Sequence, residues 1–276
     1  MIKNSRVRLS VGSRQLLLLA PAATYQGCGE GSVETDRHED LLRRVQRLRG
    51  SVYLDDGAIG TKQLTDGRHV DEGDLPSWHL LVVSEADEVL GCVRYRKHQA
   101  GVAFSDLTAA QSSLVACATW GHRARAAIDQ ELALSRSLDL PFVEIGGWAL
   151  DPEIRGTVEA LRMVLGIYAI SREMGGAIGL ATATTRHSSS TILRRIGGHS
   201  LMHAGEELPP YTDEHYDCQM ELLRFYSWAP NPRYDTWVHE MRAEISSIPV
   251  ICSAGDPMHR FGGMRHQDPG LLAVAC

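Results

Sequence analysis

The segment from Phe142 to Gly198 constrains the fold more than any other part of the chain. Between Thr157 and Met174, apolar residues fall on nearly every side of a helix (Val158, Leu161, Val164, Leu165, Ile167 and Ile170). A helix that is apolar all round must be covered by neighbours. Strand-like runs flank it, Phe142–Leu150 before and Ala177–Thr184 after, and Gly175-Gly176 supplies a C-terminal stop signal. The helix is therefore expected to pack hard on a sheet. Gly146-Gly147 lie inside the first run, where two glycines weaken a strand and mark a bulge or a close approach. Ser188–Ile196 reads as a short helix capped by one of its serines and closed by Gly197-Gly198.

The remaining segments fit around this centre. Arg37 to Arg49 reads as a helix with Leu41, Leu42, Val45 and Leu48 on one side, ending at Gly50. After Ser51–Tyr53, a polar loop runs from Asp55 to Asp74 and carries more acids than a connection requires, among them Asp66, Asp71 and Asp74. Trp78–Ser84 and Val89–Tyr95 predict an antiparallel hairpin around Glu85–Glu88. Thr108–Leu138 follows a helical pattern that Pro141 stops, Ser200–Ala204 and Cys218–Tyr226 read as strands, and Arg233–Ser246 as a last helix. This order predicts a single α/β domain at residues 31–250, with a mixed, mostly antiparallel sheet and helices on both faces. Residues 1–30 are expected to be loosely ordered, and residues 251–276 to be a mobile tail.

Charge and cysteine content narrow the functional classes. The 28 Lys and Arg against 34 Asp and Glu leave a net charge of −6, which argues against a wrapped nucleic-acid partner. The distribution is uneven: Met1–Gly50 holds nine basic and five acidic residues, and much of that excess sits on the first helix as Arg43, Arg44, Arg47 and Arg49. Such a helix is either a solvated face or a docking surface for an acidic partner. Six cysteines without a Cys-x-x-Cys pair predict reduced structural thiols. The apolar run Leu16–Ala20 is too short for a secretion signal, and no stretch approaches the ~20 apolar residues of a membrane span. A cytoplasmic chain with no integral membrane segment is expected.

Phe142–Gly198, read as strand, Asp-Pro-x-x-Arg-Gly, long helix, glycines, strand, Ser-rich helix and Gly-Gly, resembles the central half of the GNAT acyltransferase fold, with Arg155-Gly156 at its signature position. The resemblance implies a single GNAT-like domain whose fourth and fifth strands splay to admit the acyl donor. A loop at a helix N-terminus would hold the donor's phosphates. The donor-binding residues it implies are Gly146, Gly147, Leu150, Arg155, Gly156 and Thr157. Two positions depart from the acetyltransferase pattern: Val158 stands where the phosphate loop usually has glycine, and Leu193 where a general-acid tyrosine often falls.

From Leu48 to about Pro249 the chain is more closely similar to the acyl-homoserine-lactone synthases and, above all, to the long-chain N-acyl amino acid synthases. That similarity rests on Leu48-Arg49 with Val52-Tyr53, the acidic loop before His79-Leu80-Leu81, Gly91-Cys92-Val93-Arg94, Glu144-Ile145, Glu206–Leu208, the Pro-Tyr loop at Pro209–Tyr211 and Met220–Phe225. Gly146-Gly147-Trp148 replaces the Ser-Arg usual after the glutamate of homoserine-lactone synthases. The resemblance implies an N-acyltransferase that takes a fatty acyl group from acyl carrier protein or acyl-CoA, as co-substrate with no bound cofactor, and places it on the amine of a small acceptor such as an amino acid. Three alternatives stay open: a homoserine-lactone synthase-like enzyme, an acetyl-CoA-dependent acetyltransferase, and a non-catalytic acyl- or carrier-binding module.

Amide formation from a thioester needs a neutral amine, an acceptor for its proton and donors for the oxyanion. Glu144, set among Phe142, Val143 and Ile145, is the candidate catalytic base, and burial is expected to raise its pKa; by simple alternation it could instead face solvent. Arg49, Asp66, Asp71, Asp74 and Arg94 match the charged positions that border the acceptor site in the synthases, or form a structural ion-pair network. Arg94 would clamp an acceptor carboxylate. Acyl carrier protein is acidic, so Arg43, Arg44 and Arg47 are the candidate docking face. His187 with Ser188-Ser189-Ser190 lacks a Gly-x-Ser-x-Gly elbow, and His199 with His203 shows no third ligand, so neither a serine nucleophile nor a metal is expected. Trp78, Trp148 and Phe225 are core residues or the lining of an acyl channel.

Overall fold

The structure is a computed structural model that describes residues 14–22, 31–99 and 101–253. Twelve strands and six α-helices alternate along it. The strands are β1 (Gln15–Leu19), β2 (Ser32–Val33), β3 (Trp78–Val83), β4 (Val89–Lys97), β5 (Phe142–Leu150), β6 (Ile178–Thr184), β7 (His199–Ser200), β8 (Met202–His203), β9 (Glu206–Glu207), β10 (Tyr211–Asp213), β11 (Cys218–Tyr226) and β12 (Val250–Cys252). The helices are α1 (Thr35–Asp55), α2 (Ser113–Ala116), α3 (Gly121–Ser137), α4 (Val158–Glu173), α5 (Ser189–Ile196) and α6 (Asp235–Ile245).

Ten strands form one sheet in the order β10-β11-β6-β5-β4-β3-β1-β12-β2, with β7 also on β11, while β8 and β9 pair apart. β5 and β6 run parallel, as do β12 and its two neighbours, and the other pairings are antiparallel. Alternation along each strand sends neighbours to opposite faces. Leu16, Leu18, Leu80, Val82 and Val143 pack with α4 and α6 on one face. Leu17, Leu19, Leu81 and Val83 pack with α1 on the other, where Phe142, Ile178 and Leu180 meet α3. This is the expected α/β architecture, a mixed, mostly antiparallel sheet with helices on both faces. α4, apolar all round, is covered as anticipated: Val164, Leu165, Ile167 and Ile170 are each at most 3% exposed.

Four sequence expectations are corrected. Residues 15–19, within the segment expected to be loosely ordered, form β1, a strand whose last four residues are fully buried between β3 and β12. Residues 250–252 form β12 and overlap the start of the expected tail. Of those two segments, residues 1–13, 23–30 and 254–276 lie outside the described residues. α1 does not stop at Gly50 but continues to Asp55. Gly50 is a contact point: a Cβ there would stand 2.6 Å from the Gly67 carbonyl oxygen. The single helix expected over Thr108–Leu138 is broken between α2 and α3 by a turn at residues 118–120, and Gly121 opens α3 with no room for a Cβ, which would lie 2.2 Å from the Val115 carbonyl oxygen.

Candidate active site

Between β4 and β5 the register shifts: Arg94 faces Gly146 and Cys92 faces Ala149, so β5 carries one residue more than β4 across this interval. The expected bulge is therefore present, with Gly147 at φ +62° as its left-handed residue. On the other side of β5, pairing with β6 ends at Ile145 and Ala181, while β5 runs on to Leu150. The two parallel strands part just before the bulge. The Cys92 thiol donates to the Gly147 carbonyl at 3.3 Å, and burial raises its pKa to about 11, which marks it as a structural thiol.

Beside the bulge stands a buried ion network. Asp74, 2% exposed, accepts from Arg49 Nη1 at 2.7 Å, Gln46 Nε2 at 3.1 Å, Arg94 Nη1 at 3.1 Å and the Asp71 N–H at 3.2 Å. Arg49 Nη2 reaches the second carboxylate oxygen and also the His69 carbonyl, at 3.0 Å. Arg94 Nη1 lies 2.7 Å from Asp71 Oδ1, which in turn accepts the Gly73 N–H at 2.7 Å. Burial alone would raise the Asp74 pKa, but Arg49 overrides it and holds the carboxyl far below the usual range. Asp71 is lowered in the same way, against its burial, by Arg94 and Gly73. Four of the five predicted charged residues thus come together. Asp66 does not: it turns into solvent with φ +52°, its side chain 86% exposed and 3.8 Å from Arg68.

The bulge and the network touch. A Cβ on Gly147 would stand 3.1 Å from Arg49 Nη1 and 3.3 Å from Arg94 Cβ, and one on Gly146 would lie 3.8 Å from Arg94 Nη2. Nearby is an aromatic group that sequence reasoning missed, in which Tyr53 meets His69 at 5.3 Å and Tyr216 at 5.9 Å, both edge to face. His69 is 5% exposed, and burial followed by the Arg49 charge lowers its pKa to about 4. These rings come from α1, the acidic loop and the β10–β11 turn, segments too far apart in sequence for any spacing pattern to link them.

Two expectations for Glu144 are corrected, its raised pKa and the alternative that it faces solvent: it is buried, at 9% exposure. Its carboxylate accepts from His98 Nε2 at 2.9 Å, the Thr108 N–H at 3.0 Å and the Ala109 N–H at 2.9 Å. Burial raises its pKa, but these three donors outweigh burial and the net shift is downward, opposite to the expectation. Glu144 pins the segment after β4 to the sheet. Arg94 and Arg96 alternate along β4, with His98 one residue past its end, and Arg96 is the cross-strand neighbour of Glu144.

At the donor side, Arg155 is already engaged, with Nε on the Leu150 carbonyl and Nη1 on Asp56 Oδ1, both at 3.1 Å. Thr157 caps α4, accepting the Glu159 N–H at 3.2 Å, and Gly156, at φ +73°, has open space where a Cβ would be. Val158 is 39% exposed at the helix start. Ser188 precedes α5 in a left-handed conformation with no side-chain cap, contrary to the expected serine cap, and the His187 Nε2 lies 3.4 Å from Asp56 Oδ1. Arg43 and Arg44 pair with Glu39 and Asp40 one turn away, at 3.6 and 2.7 Å, so two of the three expected docking arginines are partly neutralised on their own helix.

A splayed parallel pair, a bulge on the earlier strand and an open glycine before a capped helix are the features of a GNAT-like fold that the sequence led us to expect. Among solved structures, the chain is similar to the CoA-dependent acyl-homoserine lactone synthase BjaI bound to SAM and isopentyl-CoA, at 15% identity over 89% of this chain and 95% of that one, with a TM-score of 0.53. Weaker likenesses are to FeeM, an N-acyl amino acid synthase from uncultured soil microbes (14% identity, 77% and 91% coverage, TM-score 0.44), and to a Lactobacillus plantarum protein described as an N-acetyltransferase (10%, 78% and 99%, 0.43). No protein-family model matches the chain, and no curated protein matches its sequence. At 15% identity, the likeness to BjaI shows the fold alone. Among the described residues, no helix is long and apolar enough to cross a membrane.

Proposed function

We propose that the chain is an N-acyltransferase that moves an acyl group from the thioester of acyl carrier protein or CoA to the amine of a small acceptor bearing a carboxylate, such as an amino acid. One observation carries this reading: the parting of β5 from β6 opens beside a bulge that abuts Arg94 and Arg49. A thioester threaded through the gap would put its carbonyl at the backbone N–H groups of the bulge, which are fixed in place before the oxyanion forms. Arg94 turns one nitrogen to Asp71 and Asp74 and the other toward Gly146, so the network aims a guanidinium edge at an acceptor carboxylate. The acceptor's neutral amine attacks the carbonyl carbon, the C–N bond forms as the C–S bond breaks, and the proton lost from nitrogen passes to the departing sulfur, so that a free thiol leaves on its carrier. Glu144 holds the adjoining segment and takes no part as a base.

The carrier-protein form of the donor is supported by Arg47, which is exposed on α1 beside the partly neutralised Arg43 and Arg44. The test is thiol release from acyl-CoA and acyl-carrier thioesters in the presence of amino acids, with products identified by mass spectrometry. An N-acyl amino acid product supports the reading, and Arg94→Lys should raise KM for the acceptor about tenfold by losing bidentate geometry, with a smaller effect on kcat. Absence of any N-acyl product from every donor would refute it.

A further inference from the structure

Where β5 and β6 part, an apolar cavity of about 30 Å³ opens on the α4 face of the sheet, bordered by Ile145, Ala181, Leu193, Ile196, Tyr168 and Phe225. Ile145 and Ala181 are the last paired residues of the two strands, so the cavity begins where a thioester would emerge. We propose that Phe225 and Tyr168 stopper this cavity and that the donor's acyl group is short: the carbonyl carbon and about two or three further carbons, the water-sized groups that such a volume holds. The inference rests on the N-acyltransferase reading and adds the substrate class.

The stopper is built into the fold through two glycines. Phe225 faces Gly179 across the β11–β6 pairing, and a Cβ on Gly179 would stand 1.8 Å from the Phe225 ring. The ring occupies space that any other residue would fill. Tyr168 meets Phe225 edge to face at 5.6 Å, and a Cβ on Gly197 would stand 2.8 Å from its hydroxyl oxygen. Both rings are buried, at 3% and 5% exposure, and the Tyr168 hydroxyl has no hydrogen-bond partner among the described residues. A longer chain would have to displace two seated aromatic rings from a close-packed core, and such cores resist added methylenes.

The test is thiol release by the full chain from acetyl, butyryl, hexanoyl and dodecanoyl thioesters, on CoA and on carrier protein, with a mixture of standard amino acids as acceptors. Butyryl should exceed dodecanoyl in kcat/KM by at least about tenfold, the range that one or two misfit methylenes produce in an apolar pocket. Phe225→Leu should move the optimum to hexanoyl or longer. Ala181→Val, which adds bulk at the cavity mouth and does not depend on the first variant folding, should move it to acetyl. Thermal melting checks that each variant is folded. A wild-type rate with dodecanoyl equal to that with butyryl, or an optimum unmoved in the folded variants, overturns the short-chain inference alone. Silence with every donor overturns the acyl-transfer reading and this inference together.

Discussion

Replacing Asp74 by asparagine tests the central claim about the site, that one buried carboxylate holds both arginines beside the bulge. The substitution keeps the shape and removes the charge. Arg49 is 1% exposed, with Asp74 its acidic partner, and Arg94 retains Asp71. Leaving a buried guanidinium without its counter-charge costs about 3–5 kcal/mol. For a chain of this size that corresponds to a melting temperature lower by roughly 10 °C. Urea unfolding at neutral pH measures the loss, with Arg125→Ala as the control. Arg125 meets Asp129 at 3.7 Å with both side chains at least half exposed, and removing such a pair costs less than about 1 kcal/mol. The pH dependence has a definite sign. Because Asp71 and Asp74 are depressed in the folded chain, their stabilisation is complete above the unfolded value of about 3.9 and is lost as pH falls through the folded values. The wild type should therefore lose stability more steeply than Asp74→Asn on acidification below that value. A loss under about 1 kcal/mol for Asp74→Asn, equal to the surface control, would refute the network as an organising element.

Glu144→Gln turns an amide toward donors where a carboxylate accepted three; it should destabilise by about 1–3 kcal/mol while its folded fraction retains acyl transfer, checked by melting and turnover together. Because the Glu144 pKa is lowered, its contribution to stability is present above the ordinary glutamate value and disappears as pH falls below it, so it should add no limb to a rate profile near neutrality. Gly147→Ala forces a side chain onto φ +62° and against Arg49; a cost of about 1–3 kcal/mol and a larger loss in turnover than in stability should appear in paired melting and rate measurements. Arg47→Glu should slow transfer from carrier-borne donors, more so at low salt, and leave CoA-borne donors unchanged.

How much of this was legible in the sequence depended on where each residue's partners lie along the chain. β5, β11 and α4 could be read directly, because period-two alternation, all-round apolarity and glycine stops are local signals. The Gly146-Gly147 bulge was legible for the same reason, since a left-handed residue advertises itself as glycine. β1 was not: Leu16–Leu19 is uniformly apolar and buried on both faces, and four such residues carry no period. β12 is a strand only because β1 and β2 lie on either side of it.

The site divides in the same way. Sequence by itself placed Arg49, Asp71, Asp74, Arg94 and Glu144 among the residues to watch, and its resemblance to the GNAT fold put the parting of two strands at β5. Tertiary structure decided what each of them does. Asp66 and Asp74 look alike in sequence, yet one faces water and the other is enclosed by four donors. Glu144 sits among apolar neighbours along its strand, and desolvation alone would have raised its pKa; donors from His98, Thr108 and Ala109 reverse the sign. A pKa, an ion pair and the depth of a cavity are each set by atoms within a few ångströms, and in this fold those atoms come from segments tens of residues away, Phe225 and Gly179 among them.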